Sequence, residues 1–236
     1  MKKYTILFIA LLIFYILFTG CKKELSSENV TTKITTYAVI TMNGDNPMYM
    51  PVGSTYTEPG ATTNTGDPVT IHGTVDGNVE SIYHVDYKST NEDGFPYKVT
   101  RTVVVSTVVD SSYDISGTYN GLFLYQSTQY RASNIKITST DVTGLFHVSD
   151  LLAGLYSDAL AYGSLFRSPG YIKCIGDSIA LVPNNIDPWD YPLGGSGHIV
   201  QPDSLINLHI YEIPKDPSDE FAFDWGPNFY LEKVED

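Results

Sequence analysis

Tyr83, Val85 and Tyr87 alternate with His84, Asp86 and Lys88, and this period of two constrains the chain more than any other feature. Successive side chains of a strand point to opposite faces, so such a segment buries one face and wets the other. The pattern recurs in short pieces. Residues 38–42 read as a strand ended by the turn residues Asn43-Gly44-Asp45-Asn46-Pro47, and Asn91-Glu92-Asp93-Gly94 turns the chain before a long β-branched strand over 97–109. About five or six such strands over about 70 residues, set apart by Gly, Pro and Asn turns, predict a small sandwich.

A polar stretch over residues 108–114 reads as a hinge, and a second β-rich region follows. Strands are expected over 117–125, 133–138, 144–148, 171–174, 178–183, 197–200, 205–213 and 229–234, with turns at Ile175-Gly176-Asp177 and Gln201-Pro202-Asp203. Such spacing predicts an antiparallel meander closed into a barrel or a sandwich. Only one helical turn, over 148–153 with Ser149 as its cap, has support. The fold class is therefore all-β, and the 18 tyrosines agree with it.

The N-terminus has a different pattern. Lys2 and Lys3 precede the apolar run YTILFIALLIFYILF, and Thr19, Gly20 and Cys21 follow. These are the charged start, apolar stretch and small-residue cleavage site of a secretory signal. The run of about 15 residues is short of the roughly 20 that a spanning helix needs. Leu17-Phe18-Thr19-Gly20-Cys21 resembles the lipobox of bacterial lipoproteins, with Phe18 where Leu is usual. That resemblance implies cleavage before Cys21, acylation of its thiol and a membrane anchor. Lys22 in place of an Asp implies the outer membrane, and CKKELSSE is similar to the charged tethers of surface-exported Bacteroidota lipoproteins. The expected organisation is a signal peptide over 1–20, lipidated Cys21 and tether over 21–36, then domains over 37–108 and 114–236.

The formal charge of the whole chain is −13, and loss of Lys2 and Lys3 with the signal takes it to −15. Phosphates would be repelled, so nucleic acid is excluded as a nonspecific partner, and anionic lipid would not hold the protein without the anchor. The chain has 2 cysteines; with Cys21 acylated, no intrachain disulfide is left, and Cys174 is expected as a small buried hydrophobe.

Residues 38–106 resemble the immunoglobulin-like domain repeated in many bacterial surface proteins. Gly53, Tyr56, Pro59, Gly60 and Ala61 carry its central motif, with Glu58 where Asp is usual; Gly73, Val75 and Asp76 carry the next, and Arg101, Val103 and Val105 the last. The resemblance implies an Ig-like β-sandwich acting as a spacer or adhesive module, with no active site. The region after it, through ISGTYNG, FHVSDLLAGLY and FDWGPNFYLEK, is similar to the C-terminal domain that follows such modules in Bacteroidota lipoproteins, for which no activity is implied. Its opening also resembles calycin-type barrels, as fold analogy alone.

The sequence holds no H-E-x-x-H, C-x-x-C, G-x-S-x-G or phosphate-cradling glycine loop. Residues 194–198, GGSGH, place a serine close to a histidine, yet no acid or oxyanion partner is identifiable and the segment reads as a flexible loop. His72, His84, His147, His198 and His209 lack metal-ligand spacing, and Asp45, Asp76 and Asp93 sit in turns without a calcium-loop pattern. No cofactor, metal or catalytic residue is expected. Asp177-Ser178-Ile179 and Asp203-Ser204-Leu205 resemble the acceptor triplet of Bacteroidota protein O-glycosylation.

Aromatic residues are the more informative feature. Trp189 lies with Asp190 and Tyr191 in a loop marked by Pro188 and Pro192. A flat apolar face flanked by polar groups suits sugar recognition, whereas a barrel-end plug would also use a tryptophan, and both readings stand. Trp225 reads first as a core or hairpin residue and second as a ligand contact; Tyr125, Tyr130 and Tyr156 are further aromatics of the same region. The expected function is a non-catalytic cell-surface lipoprotein that binds a glycan or an envelope partner through its C-terminal domain. The alternatives are an assembly subunit of an outer-membrane complex and an unrecognised glycoside hydrolase working through an acid pair.

Overall fold

The computed structural model describes residues 34–109, 113–125, 128–201, 205–216, 218 and 222–234. The expected signal peptide, Cys21 and most of the tether lie outside the described residues.

The N-terminal part is built from β1 (Ile40–Met42), β2 (Met48–Pro51), β3 (Ala61–Thr63), β4 (Thr70–His72), β5 (Ser81–Thr90) and β6 (Pro96–Ser106). β1 and β3 form one antiparallel sheet, and the second runs in the order β2-β6-β5-β4, with β2 parallel to β6. The alternation in β5 sets its faces as expected: Val85 and Tyr87 are buried while His84 and Lys88 face solvent. Ile40, Met50, Val85, Tyr87, Val103 and Val105 fill the space between the sheets. β6 stops at Ser106 rather than running to 109. There the Glu80 carboxylate accepts from the Ser106 hydroxyl at 3.1 Å and the Thr107 N–H at 2.9 Å, and the Val109 N–H turns to Thr143 O at 3.2 Å.

The motif residues of this part form one buried polar network. Arg101 is wholly buried. Its Nε donates to the Tyr87 hydroxyl at 2.8 Å, and its two terminal nitrogens donate to the carbonyls of Asp45 and Asn43. Tyr87 in turn donates to Glu58 Oε1 at 2.5 Å, Tyr56 donates to Glu58 Oε2 at 2.6 Å, and the Gly60 N–H donates to Oε1 at 2.7 Å. A buried guanidinium is tolerable only when its donors are met and a counter-charge is close; Tyr87 and the two carbonyls meet the donors, and Glu58, relayed through Tyr87, supplies the charge. Burial pushes the Glu58 carboxyl up, but the Tyr56, Tyr87 and Gly60 hydrogen bonds and the Arg101 charge together hold it below its ordinary value.

The C-terminal part contains β7 (Gly117–Tyr125), β8 (Thr128–Ser139), β9 (Leu145–Val148), β10 (Gly170–Ile175), β11 (Ser178–Leu181), β12 (Asn185–Ile186), β13 (Pro192–Gln201), β14 (Leu205–Glu212) and β15 (Phe229–Lys233). The meander closes on itself: β11 pairs with β13, skipping the short β12, and β15 pairs back to β7. The result is an eight-stranded antiparallel barrel, and closure removes the sheet edges that would invite aggregation. Phe123, Ile137, Ile172, Leu208 and Phe229 pack its interior, with Cys174 fully buried among them as expected.

The loop expected over 194–198 is instead the middle of β13, paired on both sides. The glycines are there for close approach. A Cβ on Gly195 would lie 2.5 Å from His209 O, and one on Gly197 would lie 2.3 Å from Asn207 O. Ser196 and His198 both face solvent, with no hydrogen bond between them among the described residues.

Residues 110–112 of the expected hinge lie outside the described residues, but the two parts pack directly on each other. Ile82 and Val104 of the first pack with Val142, Leu145, Tyr171 and Val182 of the second in a shared apolar cluster. Polar contacts flank it: Lys173 Nζ to Glu80 Oε2 at 2.7 Å, the Asn184 side-chain amide to Ser81 Oγ at 2.5 Å, and the Ile82 N–H to Pro183 O at 3.2 Å.

Candidate functional site

Strand direction alternates around the barrel, so the connections β9–β10, β11–β13 and β14–β15 emerge at the same end, opposite to where β7 begins. The longest of these, residues 149–169, folds inward. Leu151, Leu152 and Leu155 join the barrel core, and Gly121 of β7 has no room for a Cβ because Ala153 O would lie 2.1 Å away. Buried Asp150 pins the segment: its Oδ1 accepts from the N–H groups of Leu152 at 3.1 Å and Ser168 at 3.3 Å, and its Oδ2 accepts from the Ser157 hydroxyl at 3.1 Å. Burial raises the Asp150 carboxyl despite these bonds. The expected helical turn is realised as turns over 151–154 and a π-type turn over Leu155–Ala159, while Ser149 Oγ accepts from the Lys136 N–H instead of capping a helix.

This anchored segment presents Tyr156, Tyr162 and Phe166 to the β11–β13 connection, which supplies Trp189. The rings form a closed circuit. Centroids are 4.3 Å apart for Tyr156 and Trp189, 5.6 Å for Trp189 and Phe166, 5.3 Å for Phe166 and Tyr162, and 6.2 Å for Tyr162 and Tyr156. Trp189 remains 42 % exposed and Tyr162 54 % exposed, so the circuit is a surface platform and not a sealed plug. Leu165 beside it is 92 % exposed.

Asp187 shapes the loop that holds Trp189. Its Oδ1 accepts from the N–H groups of Trp189 at 2.9 Å and Tyr191 at 2.7 Å, and its own N–H donates to Tyr191 O at 2.9 Å. Asp190 takes a left-handed φ of 70° at the apex. Its carboxylate meets Lys215 at 3.3 Å, and the Lys215 ammonium also lies 4.9 Å from the Tyr191 ring centre. Of the residues expected here, Trp189, Asp190 and Tyr191 thus share one turn, with only Trp189 in the ring circuit.

Trp225 is buried against Phe229 and Phe223, as its core reading predicts. It also lines a cavity of about 450 Å³ with Phe123, Tyr130, Leu155, Tyr156 and Phe223. Tyr156 is the shared wall between this cavity and the platform. Burial first, then the charges of Glu212, Asp187 and Tyr162, push the Tyr156 hydroxyl up to about 12, so it stays a neutral donor at physiological pH. Tyr162 and Phe166 escaped the sequence reading: no periodicity marks them, and only their density in residues 156–166 was a signal. The side chain of Tyr125 lies outside the described residues. Among the described residues no three His, Cys, Asp or Glu side chains converge as a metal site.

Comparison with known proteins gives two family matches. Residues 40–105 match the family described as bacterial surface protein, Ig-like domain, and residues 105–204 match a family described as a C-terminal domain. No curated protein matches the chain. The solved structure of the lipoprotein BT2262 from Bacteroides thetaiotaomicron is similar over 84 % of this chain and 100 % of its own, at 21 % identity and a TM-score of 0.41.

Proposed function

Since residues 40–105 are an Ig-like domain of the bacterial surface protein family, we propose that the chain is a non-catalytic, lipid-anchored surface protein whose barrel end captures a glycan. Cys21 carries the anchor, and the Ig-like domain, packed on the barrel through Ile82 and Val104, serves as a spacer. The observation that carries this reading is the exposed circuit of Tyr156, Tyr162, Phe166 and Trp189 on anchored loops. Pyranose C–H faces stack on such rings, and the Asp190 carboxylate and Tyr162 hydroxyl flank them with hydrogen-bonding groups. Tyr191 and Trp225 support the site from behind, the first through the loop and the second through the cavity wall.

Glycan-array binding by the full chain tests this. Binding lost in Trp189→Ala and weakened in Tyr162→Ala is the expected result; undiminished binding by both variants overturns the site. A screen on chromogenic glycosides is expected to be silent, and turnover would favour the acid-pair hydrolase instead.

One observation favours a second reading, an assembly subunit of an outer-membrane complex. Leu165, Leu160 and Phe223 add exposed apolar surface beside the rings, as a protein contact would. Capture of one stoichiometric envelope protein, lost on Leu165→Asp, with no glycan bound, would select it.

A further inference from the structure

Asp187 is the odd group at the platform. It is 5 % exposed, and while its Oδ1 holds two backbone N–H groups, its Oδ2 has no hydrogen-bond partner among the described residues. A buried carboxylate with half its acceptors unmet is costly unless a positive charge comes near. No ion pair reaches Asp187 among the described residues, and Lys215, the cation on this loop, lies 3.3 Å from Asp190 instead. The exposed rings therefore stand beside a buried carboxylate oxygen that no hydrogen bond among the described residues meets. Aromatic faces attract cations by their own quadrupole, and an unmet carboxylate behind them strengthens that attraction. The chain as a whole, at −13, repels uronate or sulfated polymers.

From these observations we infer that the platform binds a saccharide carrying protonated amines, the ammonium lying over the exposed rings near Trp189 with Asp187 as its counter-charge. This rests on the platform being a saccharide site and names the class of saccharide. Acetylation of the amine removes the charge and leaves the pyranose faces unchanged, which separates the two ideas experimentally.

The test is calorimetric titration of the full chain with a glucosamine oligomer and its N-acetylated counterpart of equal length, at a pH where the free amine is protonated. The deacetylated oligomer is expected to bind at least about tenfold more tightly. Asp187→Asn retains an oxygen acceptor for the Trp189 and Tyr191 N–H groups, so it should keep the loop and lose most of that preference, while Trp189→Ala should lose both ligands. Equal affinity for the two oligomers overturns the amine assignment and leaves the saccharide site standing; binding of neither overturns both. A preference that persists in both variants reflects diffuse attraction to an acidic chain and overturns the inference. So does a lysine-rich peptide of equal charge that binds as tightly as the glucosamine oligomer. If Asp187→Asn does not fold, the unaltered chain decides: the glucosamine oligomer must perturb Trp189 fluorescence at concentrations where the acetylated one does not, and equal perturbation by both sinks the idea.

Discussion

The ring of Tyr156 stands edge-on to that of Trp189, with centroids 4.3 Å apart and planes at 68°. This pair joins the inward-folded β9–β10 connection to the β11–β13 connection, so the two loops hold each other in register. Tyr156 is the more enclosed partner, because it also walls the cavity beside Trp225. Tyr156→Ala should therefore cost about 2–3 kcal/mol in urea unfolding, toward the range for truncating a buried aromatic. Trp189→Ala, at an exposed position, should cost about 1 kcal/mol or less.

Trp189 and Trp225 differ in access, the first 42 % exposed and the second 8 %. Acrylamide should quench the native chain mainly through Trp189. The Trp189→Phe variant is expected to lose most of that quenching while keeping its unfolding midpoint.

Arg101 binds β6 to the residues that follow β1 through the carbonyls of Asn43 and Asp45, and Glu58 answers its charge through Tyr87. Removing one member leaves the others buried and unmet. Arg101→Ala is expected to destabilise by about 3–5 kcal/mol, read as a fall in the denaturation midpoint of the chain.

Glu58 also sets a pH dependence. Its carboxyl is held below the ordinary value of 4.5, so the folded state binds that proton less readily than the unfolded one. Its contribution is present above that value and is lost as pH falls through it toward the lowered one. The stability gap between wild type and Glu58→Gln should narrow as pH falls below the ordinary value of 4.5. Asp150, raised by burial, works in the opposite sense, contributing below the ordinary 3.8 and losing that contribution as pH rises. Comparison with Glu58→Gln isolates the first effect.

The apolar cluster of Ile82, Val104, Tyr171 and Val182 couples the two parts thermodynamically. Calorimetry is expected to show one transition for the intact chain. Val104→Lys, which buries a charge in that cluster, should split it into two or lower it sharply.

Alternation, turn residues and the Ig-like motif were enough to place most strands, because a half-buried strand must write its faces into local sequence. Tyr87 and Val85 declared their burial that way. The GGSGH segment did not, since glycine signals a flexible loop and a crowded strand equally, and only the carbonyls of His209 and Asn207 across the ladder distinguish them. Trp189 was readable as an aromatic in a polar loop. Its neighbours Tyr162 and Phe166 were not, because they come from a separate connection, and no local pattern records which loops share a barrel end.

The amino-acid order alone thus determined the all-β class and the Ig-like module, both of which follow from side-chain period and motif. Barrel closure, the docking of Val104 against Tyr171 and Val182, the ring circuit and the unmet oxygen of Asp187 were decided only in three dimensions. Each depends on segments far apart in the chain competing for the same buried space, and that competition is resolved by packing, not by local preference.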